Sequence, residues 1–145
     1  MLIEKDLYEK IRGVLPTVCV DLLVTNGEGK YLLAKRTEKP AQGEWWFPGG
    51  RIHKWEEWRQ TALRKGKEEL GVDLTIGRLI SVENSFFKED DYHTVNIVVH
   101  AIFSHRLIEL DDSHEEVRWS DYIEDELHPA LKNPLRMYGF STKTK

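Results

Sequence analysis

The pattern of apolar and polar positions predicts a mixed order of helices and strands. Ile3, Leu7 and Ile11 stand four apart, a narrow apolar stripe on a short helix over residues 3–12 that Gly13 and Pro16 end. Thr17 to Thr25 is rich in β-branched residues, and Asn26-Gly27-Glu28-Gly29 is a turn signal before Lys30 to Lys35, so the pair reads as a β-hairpin. Arg36 to Gln42 contains Pro40 and leaves the sheet, and Glu44 to Phe47 returns as a short strand. Pro48-Gly49-Gly50 reads as a loop, because proline lacks a donor and glycine permits positive φ.

From about Trp55 the spacing turns helical. Trp58, Ala62, Gly66 and Leu70 lie four apart on one side, Glu56, Gln60, Arg64 and Glu68 on the other, and Gly71 stops the helix. Leu74 to Glu83 and Thr94 to Phe103 are strands joined by the charged segment Lys88 to Asp91, the second mostly buried on both faces. After a polar loop, Val117-Arg118-Trp119 is a last short strand, Asp121 to Leu127 reads as helical, and Pro134 to Phe140 as a closing turn of helix. No repeat, low-complexity tract or linker divides the chain, so one domain over residues 1–145 is expected, of mixed α/β or α+β class.

Composition narrows the partners. At 145 residues, with 40% hydrophobic and 32% charged, the chain has the make-up of an ordinary globule. A formal net charge of -4 argues against nucleic acid as the main partner. The first twenty residues lack an apolar leader core and no run reaches a membrane span, so no membrane partner and a cytoplasmic location are expected. Cys19 stands alone in the run Val18-Cys19-Val20, which fits a reducing compartment and a small buried hydrophobe better than a nucleophile.

The candidate chemistry lies between Gly50 and Val72. On a helix Glu68 and Glu69 point about 100° apart, so one ion meets both only from beside the last turns. Spacing alone also allows Glu68 to pair with Arg64 at i,i+4 while Glu69 is solvated. The Gly-Gly segment upstream favours a cation site, since hard divalent ions take carboxylate and carbonyl oxygens together. This stretch resembles the signature box of the Nudix hydrolases, G-x5-E-x7-R-E-U-x-E-E-x-G-U with U aliphatic. Gly50, Glu56, Arg64, Glu68, Glu69, Gly71 and Val72 match at the right offsets; Lys65 stands where the pattern has glutamate and Gly66 where it has an aliphatic residue. The resemblance implies a Nudix-fold α/β/α sandwich around a mixed β-sheet. It also implies a divalent ion on Glu69 and the carbonyl of Gly49 or Gly50, with Glu68 a second candidate ligand. Lys65 shares a face with Glu69, cannot ligate a cation and repels a second one, so one Mg²⁺ (or Mn²⁺) is expected rather than two or three.

The flanks point to a branch. Ala34-Lys35-Arg36-Thr37-Glu38-Lys39-Pro40-Ala41-Gln42-Gly43-Glu44-Trp45, followed by Pro48-Gly49-Gly50-Arg51, resembles the GDP-mannose mannosyl hydrolases, which also lack the glutamate that Lys65 replaces. That resemblance, spanning about Pro16 to Trp119, implies hydrolysis of a nucleoside diphosphate sugar such as GDP-mannose or GDP-glucose by attack of water at the anomeric carbon, and a homodimer. Arg36 and Arg51 match the arginines that grip the leaving diphosphate. Arg64 matches the box arginine, which holds the loop through Glu56 and also helps the site. Asp21 matches a substrate-binding aspartate, and Asp112-Ser113-His114 the segment carrying a histidine general base. Ser113 departs from a metal-binding glutamine, so Asp112, Glu115 or water would fill that coordination position. His53 is a weaker rival for the base, and His93 and His100 look like strand residues. Trp45 and Trp46 read as one core and one rim residue, and no base pocket is assigned. Two other readings stay open: a Nudix pyrophosphohydrolase attacking phosphorus, and a degenerate Nudix domain that only binds nucleotide.

Overall fold

The computed structural model describes residues 2–104 and 114–143, with the side chains of His114 and Glu115 outside that description. Its centre is β1 (Thr17–Thr25), an apolar strand that alternates faces: Val20, Leu22 and Val24 enter one buried cluster and Leu23 the other. Along one edge β1 pairs in parallel with β6 (Tyr92–Ile102), in unbroken register from Thr17↔Thr94 to Thr25↔Ile102. β5 (Thr75–Phe87) lies antiparallel on the far side of β6. On its other edge β1 meets β2 (Tyr31–Arg36) and β4 (Gly49–Arg51), both antiparallel, while β3 (Trp45–Trp46) and β7 (His114–Ser120) flank β2. The result is one mixed seven-stranded sheet.

Helices cover both faces. α2 (Trp58–Leu70) lays Ala62 and Leu70 on the cluster of Val20, Leu22 and Val24. α3 (Pro129–Tyr138) lays Ala130, Leu131 and Leu135 on the cluster of Leu23, Tyr31 and Phe47. This is the α/β/α sandwich expected. α1 (Lys5–Arg12) begins and ends near its expected bounds, with Glu4 capping the N–H groups of Asp6 and Leu7, yet none of its residues is buried. It is held from its C-terminus, where Arg12 donates to the carbonyls of Asp90 and Asp91 and lies 4.0 Å from the Tyr92 ring. No helix among the described residues is long and apolar enough to cross a membrane.

Four local readings change. The expected hairpin is present, but β1 faces β2 only at Thr25↔Tyr31, because β4 takes the ladder opposite Cys19 to Asp21. Gly49 and Gly50 are therefore strand, not loop, and neither needs positive φ. The reason for glycine is close approach: a Cβ on Gly49 would lie 2.1 Å from the carbonyl oxygen of Val20. The helix starts at Trp58 rather than near Trp55, since Trp55 has φ 72 and a capping box of Glu57 and Gln60 opens the helix behind it. Finally, Asp121 to Leu127 is not helical. The i,i+4 pair Ile123 and Leu127 is buried, but the Ile123 N–H bonds to Ser141, and the helix begins only at Pro129 behind the His128 cap.

Candidate active site

A cleft of about 360 Å³ opens where β1, β2, β4 and the end of α2 converge. The antiparallel pairing of β4 with β1 sets Gly49 opposite Asp21 and Gly50 opposite Val20, and carries Arg51 to the rim. Arg36 ends β2 and is aimed by its Nε, which donates to the Pro40 carbonyl at 2.7 Å. Glu69 comes from the last turn of α2 and is buried. Its Oε2 accepts from the Gly49 N–H at 3.1 Å, which ties the helix to β4.

Lys65 lies one turn back on the same face. Its Nζ is 3.5 Å from Glu69 Oε1 and 3.3 Å from Glu68 Oε2. Its stem crosses the bare backbone of Gly50, where a Cβ would come within 2.5 Å of Lys65 Cε. The other departure from the box also has a spatial cause. A Cβ on Gly66 would lie 2.8 Å from Leu74 Cδ1, so Leu74 fills the room that an aliphatic residue in the helix would take.

Arg64 faces away from the cleft and organises the connection between β4 and α2. Its Nε and Nη2 grip Glu56 at 2.8 and 2.9 Å, and Nη2 also reaches the Arg51 carbonyl at 2.9 Å. Glu56 in turn accepts from Thr61 Oγ1 at 2.7 Å and from the His53 N–H at 3.1 Å. Hydrogen bonds from Arg64 hold the Glu56 carboxyl below its ordinary range. Glu68 is exposed and pairs with Arg64 as well as Lys65.

Asp21 is the buried acid of the cleft. Its Oδ2 accepts from Asn96 Nδ2 at 3.0 Å and Trp46 Nε1 at 3.3 Å. Asn96 is itself fixed by Ser85 and Thr94, whose hydroxyls donate to its Oδ1. Burial raises the Asp21 carboxyl to about 7 despite these two donors. Beside it, burial and the nearby Asp21 push the Cys19 thiol up to about 12, which makes it a poor nucleophile. Burial and the neighbouring Arg64 lower the His53 imidazole from its ordinary value.

Of the residues singled out by sequence, the cleft gathers Asp21, Arg36, Gly50, Arg51 and Glu69. Arg64 and Glu68 lie outside it, on the solvent side of α2. The backbone of His114 opens β7 in register with Arg36, but its side chain lies outside the described residues, as do Asp112 and Ser113. His93 and His100 are strand residues of β6, and Trp46 is core while Trp45 is only partly buried. Three contributors escaped the sequence reading. Asn96 holds Asp21, and its only local signal is an amide in an apolar strand. Tyr8 and Tyr92 wall the cleft from segments that sequence spacing does not connect.

The cradle between Gly50 and Glu69 suits a cation. Its floor is bare backbone, its wall a buried carboxylate, and it already houses the Lys65 ammonium. Among the described residues no group of three or more His, Cys, Asp or Glu side chains converges there. A divalent ion held there would draw on Glu69 and backbone carbonyl, with further oxygens from substrate or water.

The NUDIX domain family model matches residues 15–138. The low-salt glycan biosynthesis protein Agl8 of Haloferax volcanii is 31% identical over 139 residues, covering 92% of this chain and 88% of its own. An ADP-ribose pyrophosphatase of Methanocaldococcus jannaschii is 32% identical over 98 residues, 67% of this chain and 57% of its own length. The crystal structure of a MutT NUDIX hydrolase from Burkholderia pseudomallei superposes with a TM-score of 0.74 at 27% identity, covering 85% of this chain and 98% of that one. With its box helix ending at a carboxylate-walled cleft and the family match running through all seven strands of the sheet, this chain belongs to the Nudix hydrolase family.

Proposed function

We propose that this Nudix hydrolase cleaves a nucleoside diphosphate sugar, GDP-mannose or GDP-glucose first, to the nucleoside diphosphate and the free sugar. The observation that carries the reading is the meeting of Arg36 and Arg51 with Glu69 in one cleft, beside a box in which Lys65 stands in place of a glutamate. Arginine forks suit diphosphate oxygens, to which they bring charge and paired hydrogen bonds. The name of the Haloferax relative, a glycan biosynthesis protein, is in keeping with a sugar nucleotide.

In this reading water attacks the anomeric carbon with inversion. The bond from that carbon to the diphosphate oxygen breaks, and its electron pair leaves with the nucleoside diphosphate. His114, whose backbone stands opposite Arg36 in the β2–β7 ladder, takes the proton from water as general base. Arg36 and Arg51 hold the leaving group, Asp21 binds substrate from the cleft floor, and Arg64 steadies the loop under Arg51. Nudix hydrolases generally use divalent metals; Glu69 and the Gly50 carbonyl, with Glu68, would hold one Mg²⁺ or Mn²⁺ here. Bound there, it would neutralise charge on the departing diphosphate. One domain acting as a homodimer belongs to the same reading.

Turnover of a panel of nucleotide sugars in ¹⁸O-water tests the proposal. Label in the sugar supports it. Label in a phosphate would establish attack at phosphorus instead, the reading favoured by the ADP-ribose pyrophosphatase relative. Binding without turnover across the panel would leave a nucleotide-binding domain, the reading that Lys65 in the box favours.

A further inference from the structure

The most unusual side chain of the cleft is Lys65, because it occupies the place where the proposed cation site needs positive charge. Its ammonium lies between the carboxylates of Glu68 and Glu69, at 3.3 and 3.5 Å. Its side chain is only 17% exposed, with the stem laid along Gly50. The contact with Gly50 is not incidental, since any Cβ there would displace the stem that keeps the ammonium in place.

We propose that Lys65 is a resident counter-ion. Its ammonium neutralises the Glu68 and Glu69 carboxylates in the nucleotide-free protein, and a divalent ion enters only together with a nucleoside diphosphate, whose oxygens draw the ammonium off. This rests on the cation-site reading of Glu69 given above. Two unlike effects support it. A divalent ion at Glu69 would sit a few ångströms from a fixed ammonium in a shielded cleft, where repulsion between like charges is strong. Arg36 and Arg51 line the same cleft and add further positive charge against an incoming cation. A diphosphate reverses both effects, supplying oxygen ligands for the metal and an acceptor for the ammonium. Lysine can make that exchange, because its charge is a compact point on a flexible four-carbon stem.

The test is Mn²⁺ binding followed by electron paramagnetic resonance, alone and with GDP or ADP, in the wild-type protein and in Lys65→Met. The two nucleotides in parallel keep base preference from deciding the result, and the signal of the Mn²⁺–nucleotide complex without protein is subtracted. Methionine keeps the stem over Gly50 and removes the charge. The wild-type protein is expected to bind Mn²⁺ weakly alone and about tenfold or more tightly with nucleotide. Lys65→Met is expected to bind Mn²⁺ alone about tenfold or more tightly than wild type, and to gain less from nucleotide than wild type does. Should methionine compromise folding, judged by circular dichroism, Lys65→Gln replaces it, and the wild-type comparison with and without nucleotide stands by itself. Wild-type protein that binds Mn²⁺ alone as tightly as the variant would overturn the role of Lys65 and leave the cation site intact. If neither protein binds Mn²⁺ under any condition, the cation-site reading of Glu69 fails first and the inference with it.

Discussion

Glu56→Gln isolates the interaction that shapes the loop under the cleft. The substitution keeps the volume of the side chain but removes its charge, and it turns an amide donor towards a guanidinium that has only donors. The lost contacts are the two-point grip of Arg64 at 2.8 and 2.9 Å and, depending on which way the amide faces, the bonds from Thr61 and His53. Removing one partner of a buried ion pair costs about 3–5 kcal/mol. Here the side chains of Arg64 and Glu56 retain 22% and 15% of their exposure, so solvent takes back part of that cost. The expected loss is about 2–3 kcal/mol, or roughly 5–10 °C in Tm for a chain of this size. Urea unfolding monitored by tryptophan fluorescence measures it. The pH dependence adds a second check. Because Arg64 lowers the folded carboxyl, its stabilisation is complete above the unfolded value of about 4.3 and is lost as pH falls towards the lowered one. The gap between wild type and variant should therefore narrow below about pH 4. A loss under about 0.5 kcal/mol at neutral pH, or a gap that stays constant into acid, would refute this account of the loop.

Asp21→Asn should behave in the opposite sense. The Asp21 carboxyl is raised to about 7 by burial, so its favourable share is complete below the unfolded value and is lost as pH rises through about 7. Wild-type stability should fall relative to Asp21→Asn between about pH 4 and pH 7, as unfolding curves across that range would record. Gly66→Ala should cost about 1 kcal/mol despite alanine's helix preference, because its Cβ meets buried Leu74 at 2.8 Å. In a Leu74→Ala background the same change should stabilise by about 1 kcal/mol, and additive effects in the double-mutant cycle would disprove the packing argument.

Much of this molecule is legible locally. The run Thr17 to Thr25 is β1 as read, Gly71 ends α2 with φ 71, and the Trp45–Trp46 pair divides into rim and core as alternation on a strand requires. Two residues of the box spacing, Gly50 and Glu69, do share one cleft with Arg36 and Arg51. These features depend on residues a few positions apart, where the 2.0 and 3.6 periods hold.

What only the folded chain decided involves partners far apart in sequence. Gly49 is glycine because the Val20 carbonyl lies against it, a contact made by strand pairing and invisible to turn propensity. Ile123 and Leu127 have helical spacing but are buried from an irregular segment tied to Ser141. Asp21 is kept in an apolar strand by Asn96, 75 positions away, and Gly66 is small because Leu74 leans over it. Local periodicity determines which face of an element is apolar, but the neighbour that face meets is set by packing, and at this cleft it is packing that lays an ammonium against Glu69.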